Sequence, residues 1–472
     1  MQRQTNDSQS RSGRREFLKS AGAAAAGLYL AGSDLAGSDP LARAEESATS
    51  AKSETLAVNG GHPAVTFPAA QQRAIYSWPQ YGPKEKQAVL AALDLDQSGF
   101  YNALPELEIK WQKFNQVPFA KTHMNGTSAL LSMYFALDLP PGSEIMVPSY
   151  TFFGTITTMR FFGCVPVFVD INPRTATFDV EHAKKVLNPR VRAVVPMHSW
   201  GLPCEMDHIC DFAKEHGLDV LEDCAHAHGA SMQGKKVGSW GRMGIYSFQA
   251  TKPLPGIEGG MGVYQKRADY ERATILGHYE AATGSAAPLH GVGLAANSPY
   301  QAYCGTGLGL KLRMHPLAAT LILKRLEDVD ERNASTKAQV RKLNDRLCQL
   351  PGLSEPVCRK DQDRVYYSAN ILFLDEAKAG MSRAQVIKAL AAEGLSASAF
   401  EYPENHKYKI YSEPQWWHHP VNVPKVLPGC QEANARVMSV PLFHQEAPEL
   451  VEQYIKAFEK VWAHRDSVAK LS

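Results

Sequence analysis

The sequence predicts an α/β protein: a mostly parallel sheet flanked by helices, with a smaller C-terminal α+β unit. Three observations lead there. The short β-branched or apolar runs "SEIMVPS", "VPVFVDI" and "VRAVVPMH" alternate with turns and helical patterns, which is the rhythm of βα units. "EMDHICDFAKEHG" reads as a helix closed by Gly217, and "LDVLED" as the next buried strand, ending in Glu222 and Asp223. Beyond a helical stretch over 316–350, "YYSANILFLD", the helix "SRAQVIKALAAEG" with Ser382 as its N-cap, and a final helix over 447–463 form the second unit.

Taken from the start of the chain, Arg14 and Arg15 precede "EFLKS" and an alanine-rich apolar run over 21–30, followed by Ala42, Arg43 and Ala44 as a cleavage site. "RREFLK" resembles the twin-arginine export signal, with Gly13 where Ser or Thr is more usual. The apolar run is too short and too weakly hydrophobic to span a bilayer, so the expectation is export to the periplasm or beyond without a stable membrane anchor. The chain then divides into a signal over 1–44, a linker over 45–54, an N-terminal arm and large domain over 55–330, and a small domain over 331–472. The arm reads as irregular up to Lys121, apart from "YSWPQYGPKEKQAVLAALD", which passes from a proline-marked loop into an amphipathic helix. A further helix is expected at "TSALLSMYFALD", and a long loop at the Gly/Ala/Ser-rich residues 281–297.

With 472 residues, 44% hydrophobic and 21% charged, the composition is that of a globular protein with a sizeable core. The net charge is +2 and no basic block is interleaved with aromatics, which excludes a nucleic-acid binder and favours a small-molecule substrate. Eight cysteines without a C-x-x-C pair give neither a zinc motif nor a disulfide scaffold; Cys348 and Cys358 are near enough in sequence to be bridged in an oxidising compartment.

Three places can carry chemistry. "NGTSALL" puts Gly126, Thr127 and Ser128 where a helix begins, and helix N-termini bind phosphate through free N–H groups. Asp223 ends a hydrophobic strand, where open α/β sheets bind ligands, and an acid there can hold a heterocyclic nitrogen protonated. Lys252 follows the strand-like "MGIYSF", with Ser247 upstream and "GIEGG" downstream; a lysine amine in such surroundings can form a Schiff base. Singly, each has a plainer reading as helix cap, turn cap or solvated charge. In this order they are the parts needed to hold pyridoxal 5'-phosphate: phosphate anchor, pyridinium partner and amine. Tyr150, Phe152 and Phe153 in "PSYTFFGT" offer a ring to stack on it, or else core packing.

With these motifs, the sequence resembles the DegT/DnrJ/StrS family of sugar aminotransferases, pyridoxal-phosphate enzymes of the aspartate-aminotransferase fold, fold type I. The resemblance runs from Leu56 to the C-terminus, through "LAVNGGHP", "NGTSALL", "VPSYTFFGT", "VFVDI", "MHSWGLPCEMD", "LEDCAHAHGA", "VGSWG", "YSFQATK" with "EGG", and "LRMHPLAA". It implies a seven-stranded type of large-domain sheet and a homodimer with sites shared between subunits. It also implies that Lys252 joins the cofactor and shuttles a proton, that Asp223 keeps the pyridine nitrogen protonated, that Thr127, Ser128 and Ser247 bind the phosphate, and that Phe152 stacks on the ring. His226 stands where the family usually has glutamine near the ring oxygen. Lys311 replaces an asparagine that reaches the other subunit's phosphate. "EYPENH" resembles the family's substrate segment with one residue fewer, which makes Tyr402 and His406 substrate-binding candidates. The implied reaction is ping-pong transamination from glutamate or glutamine to a keto-sugar or keto-cyclitol, and "LAVNGGHP" is more like members acting on cyclitol or aminobenzoate precursors. Alternatives on the same fold are a dehydratase or aromatising eliminase, in whose dehydratase form histidine replaces the lysine, and a non-catalytic sugar-binding or regulatory protein.

Overall fold

Runs of five residues with every side chain buried can be satisfied only inside a sheet covered on both faces. Glu144–Pro148, Met243–Ser247 and Gly260–Tyr264 are such runs. In the computed structural model, which describes residues 54–278 and 293–472, they belong to a seven-stranded sheet. Its strands are β1 (Phe119–His123), β2 (Glu144–Pro148), β3 (Val165–Val169), β4 (Val191–Val194), β5 (Asp219–Asp223), β6 (Met243–Ser247) and β7 (Gly260–Tyr264). The order is β1-β7-β6-β5-β4-β2-β3, and only β7 runs against its neighbours. The expected parallel strands are all present; β7 went unread because its two glycines resemble a turn rather than a strand.

The order explains where a site forms. His123 at the end of β1 and Ser247 at the end of β6 both pair with Gly260 at the start of β7, and Ile245 pairs with Asp223 at the end of β5. One sheet edge therefore brings together four chain segments far apart in sequence.

Helices cover the sheet. The arm is less irregular than expected: besides α1 (Pro83–Leu93) it contains α2 (Ala103–Asn115), which buries Leu104, Leu107 and Trp111 at helical spacing. The proline at Pro105 lies in the first turn, where its missing N–H costs nothing. α3 (Gly126–Leu137) and α4 (Met206–Glu215) sit as expected, and Gly217 after α4 has a φ of +65°. α4 turns Met206, Ile209, Phe212 and Ala213 inward, and each larger side chain so buried contributes about 1.5–3 kcal/mol. The stretch expected as one helix over 316–350 is two, α5 (Pro316–Leu326) and α6 (Val329–Leu347), broken at Asp328, which pairs with both Lys84 and Arg332.

A second, antiparallel sheet comprises β8 (Leu353–Ser354), β9 (Asn370–Leu374) and β10 (Val437–Val440), in the order β8-β9-β10. It packs with α7 (Arg383–Ala392) and α8 (Pro448–Ala463) around Leu372, Leu374, Leu390, Tyr454 and Phe458. Ser382 caps α7 in a reciprocal box with Gln385. The arm is strapped to this core by buried Glu393, which accepts from the backbone N–H groups of Ala57 and Ala64 and pairs with Lys460 at 2.9 Å. A buried ion pair with its remaining lone pairs satisfied is costly to break from one side.

The twin-arginine segment, and most of the loop expected over 281–297, lie outside the described residues. All eight cysteines are free thiols, so Cys348 and Cys358 are not bridged. No described helix is long and apolar enough to cross a membrane.

Candidate active site

A cavity of about 450 Å³ opens at the sheet edge where Ser247, Gly260 and Asp223 meet. Its floor is the start of α3. Asn125 is the N-cap: its side chain accepts from Ser128 N–H at 2.8 Å, while Ser128 Oγ accepts from Asn125 N–H at 3.1 Å and donates to its carbonyl at 2.8 Å. Ser128 is thus engaged in the cap and does not line the cavity. The N–H groups of Gly126 and Thr127 have no intrahelical partner, being in the first turn, and remain for an anion.

That floor tolerates no side chain. A Cβ on Gly126 would lie 2.7 Å from Ser247 Cβ, and one on Gly260 only 2.2 Å from the Asn125 carbonyl oxygen. The second glycine after Glu258 therefore lets β7 pass directly beneath the helix start, bringing Ser247 beside the free N–H groups.

Asp223 is buried, 3% exposed, and faces the cavity. One carboxylate oxygen accepts from Thr155 Oγ at 2.7 Å and the other from Ala225 N–H at 3.0 Å, which fixes its direction. Behind it Glu222 accepts from the N–H groups of Gly238 and Gly241, both at 2.7 Å, with His198 Nε2 at 3.3 Å. His198, Glu222 and Cys224 bring three possible metal-ligating atoms together, but these carboxylate contacts already tie Glu222 to backbone.

Lys252 reaches in from the turn after β6, held where its N–H meets the Gln249 carbonyl and its own carbonyl accepts from the Trp78 indole at 3.0 Å. Its Nζ donates to Tyr367 Oη at 3.3 Å and sits 4.6 Å from the centre of that ring, a cation–π contact. Tyr367 also stacks on His226, with ring centres 3.8 Å apart. Burial, with Lys252 and His228 nearby, pushes the His226 imidazole well below its ordinary pKa, so it is neutral near pH 7. His226 Nδ1 is buried and has no hydrogen-bond partner among the described residues.

At the mouth lies Phe152, 47% exposed, its ring 4.2 Å from that of Phe153. Tyr402 closes the far side between Tyr150 and Trp200, and burial raises its phenol pKa well above the usual value. Of the residues expected from sequence, Thr127, Phe152, Asp223, His226, Ser247, Lys252 and Tyr402 line this one cavity. His406 does not. Asn405 donates to the carbonyls of Ser149 and Thr151, and this pins His406 inward, where its Nδ1 lies 2.8 Å from Ser149 Oγ. Lys311 is exposed and also off the lining; the next residue, Leu312, accepts from Met124 N–H just ahead of the helix start.

Two residues were missed. Thr155 lay within a quoted motif, and its hydroxyl was a usable signal. Tyr367, one aromatic among several before a strand, gave none.

The arrangement thus offers an anion floor, a fixed carboxylate, an amine, an unpartnered imidazole and an exposed ring within one cavity. The DegT/DnrJ/EryC1/StrS aminotransferase family model matches residues 79–459. The chain belongs to this family. It is 30% identical over 372 residues to a putative L-glutamine:3-amino-2,3-dideoxy-scyllo-inosose aminotransferase of Streptomyces kanamyceticus, covering 76% of this chain and 83% of that one. It is 29% identical over 394 residues to a spore coat polysaccharide biosynthesis protein of Bacillus subtilis, covering 82% and 96%. An aminotransferase of Psychrobacter cryohalolentis shares the fold at a TM-score of 0.71 and 23% identity, over 83% of this chain and 100% of that one. The architecture of this family member is fold type I: a large, mostly parallel sheet flanked by helices, with a smaller sheet beside it.

Proposed function

We propose that the protein is a pyridoxal-phosphate-dependent aminotransferase that moves an amino group from glutamine or glutamate to a keto-cyclitol or keto-sugar. The observation that carries this reading is the placing of Lys252, Asp223 and the α3 start around one cavity. Gly126, Thr127 and Ser247 would hold the phosphate, Asp223 the ring nitrogen and His226 the ring oxygen, with Phe152 against the ring face. When bound, the cofactor supplies an electron sink for the carbanion. The protein's share is to position and to move protons. Lys252 Nζ, loosely held by Tyr367, would be the group that takes a proton from the substrate carbon and gives it back. Asp223, buried from water and fixed in direction, would keep the ring nitrogen charged. Neutral His226 donates an N–H without adding a positive charge.

The name of the Streptomyces relative supports a cyclic, hydroxylated acceptor and glutamine as donor. A homodimer accords with exposed Met124, Phe152 and Phe153 at the cavity mouth and exposed Leu308 and Leu310 before Lys311, which would then reach the partner's phosphate site. The "RREFLK" segment supports export in the folded, loaded state.

The test is chemical. Glutamine should shift the absorption of the yellow protein, and borohydride should trap the cofactor on the peptide containing Lys252; trapping at another lysine refutes the assignment.

A further inference from the structure

Between Ser247 and Lys252 the chain turns, and Gln249 organises the turn. Its backbone N–H donates to Ser247 Oγ at 3.4 Å, and its backbone carbonyl accepts from Lys252 N–H at 2.9 Å. Its side-chain Oε1 accepts twice from Thr251, from the backbone N–H at 2.8 Å and from Oγ1 at 2.7 Å. Thr251 Oγ1 lies in turn 3.2 Å from Tyr367 Oη, and Tyr367 Oη lies 3.3 Å from Lys252 Nζ. The stack on His226 holds the Tyr367 ring in this place.

The available protons fix the direction of every bond in this chain. A backbone N–H can only donate, so the oxygen of the Gln249 side chain, and not its nitrogen, faces Thr251. That oxygen only accepts, so the Thr251 hydroxyl gives it its single proton. Toward Tyr367, Thr251 Oγ1 is left with lone pairs and accepts. Tyr367 therefore gives its own proton to Thr251 and meets Lys252 with a lone pair. Lys252 must donate there, which turns the lone pair of the neutral amine away from Tyr367. The reverse direction would be the stronger bond, since a phenol donates better than an amine and an amine accepts better than a phenol. It would also cover the lone pair with which Lys252 reacts.

We infer that Gln249 and Thr251 are positioning residues which act through Tyr367 and keep the reactive lone pair of Lys252 uncovered. The inference rests on the transamination reading of Lys252 and extends its machinery to two residues with no part in it so far. Both line the cavity beside Lys252.

The test uses the full-length protein freed of cofactor, so that it does not depend on turnover. Acetic anhydride labels lysines through their lone pairs, and mass spectrometry at fixed pH reads the rate at Lys252 against the other lysine peptides. Thr251→Val keeps the shape and the backbone bond to Gln249 but removes the hydroxyl. Tyr367 then turns its proton onto Lys252, and labelling should fall about fivefold. Thr251→Ser should retain the wild-type rate. In the double variant Thr251→Val, Tyr367→Phe the misdirected proton is gone and labelling should return to the wild-type rate or above, where two independent packing losses would compound. A Thr251→Val rate equal to or above wild type, a Thr251→Ser rate as low as that of Thr251→Val, or a double variant no faster than Thr251→Val overturns the inference. The donor half-reaction is read separately in the loaded wild type. Failure of both glutamine and glutamate to change the cofactor spectrum would remove the transamination reading, whereas the labelling rates report on the hydrogen-bond chain alone.

Discussion

The large sheet and the small antiparallel sheet each supply a wall around Lys252, and the two walls are made differently. On the large sheet, Ser247 and Asp223 sit at strand ends, and the first turn of α3 is locked by a reciprocal cap, so every group is short and its direction is fixed by backbone. The wall contributed by the segments flanking the small sheet consists of long aromatic side chains, Tyr367 and Tyr402, which touch Lys252, His226, Tyr150 and Trp200 through ring faces and edges. Fixed short groups suit charge placement, which fails with small displacements. Ring faces suit shape, which can be altered one residue at a time.

If that division holds, substitutions should separate by orders of magnitude. Lys252→Ala should lower turnover by about 10⁴-fold or more, measured under saturating donor. Asp223→Asn keeps the shape but removes the charge and one of the two accepting oxygens, and should cost about 10²–10³-fold in kcat with the cofactor still bound. Tyr367→Phe keeps the stack on His226 and loses one hydrogen bond to Lys252, worth about 1 kcal/mol, so kcat should fall by no more than about tenfold. A loss as large as that of Asp223→Asn would place the aromatic wall in the chemistry and break the comparison.

The last prediction concerns stability rather than turnover. His228, buried behind the large-sheet wall against Trp111 and Tyr246, has its pKa lowered to about 3, by burial first and then by Lys252. The unfolded chain takes up this proton near pH 6.5 and the folded chain does not, so His228 adds no penalty above that pH. Below it, folding stability declines by up to about 1.4 kcal/mol per pH unit until about pH 3. The melting temperature should therefore drop between pH 6.5 and pH 5, and His228→Phe should flatten that slope; an unchanged slope would exclude His228 as a source.

The large-sheet wall was legible in the sequence because its groups sit at places that sequence marks: a helix start, a strand end, a lysine after a strand. Phosphate-site assignments blurred only where two hydroxyls were adjacent. Thr127 points to the cavity, while Ser128, three residues after Asn125, is drawn into the cap. The aromatic wall was hardly legible, since a tyrosine before a strand reads as core. His406 went to the core because its neighbour Asn405 bonds two carbonyls, a contact between segments some 250 residues apart that no local pattern announces. Helix α2 falls in the arm expected to be irregular, although Leu104, Leu107 and Trp111 stand at helical spacing and Pro105 lies in its first turn.

Gly260 sets a limit of another kind. Strand and helix start meet there with only hydrogen between them, since a methyl group would overlap the Asn125 carbonyl oxygen. The calibre of the anion floor is thus determined by atomic radii, and a radius cannot be tuned. No side chain at this position can widen, narrow or recharge the floor without parting β7 from α3. Diversification toward new acceptors is left to the other wall, where rings can be exchanged while the grip on the phosphate stays the same.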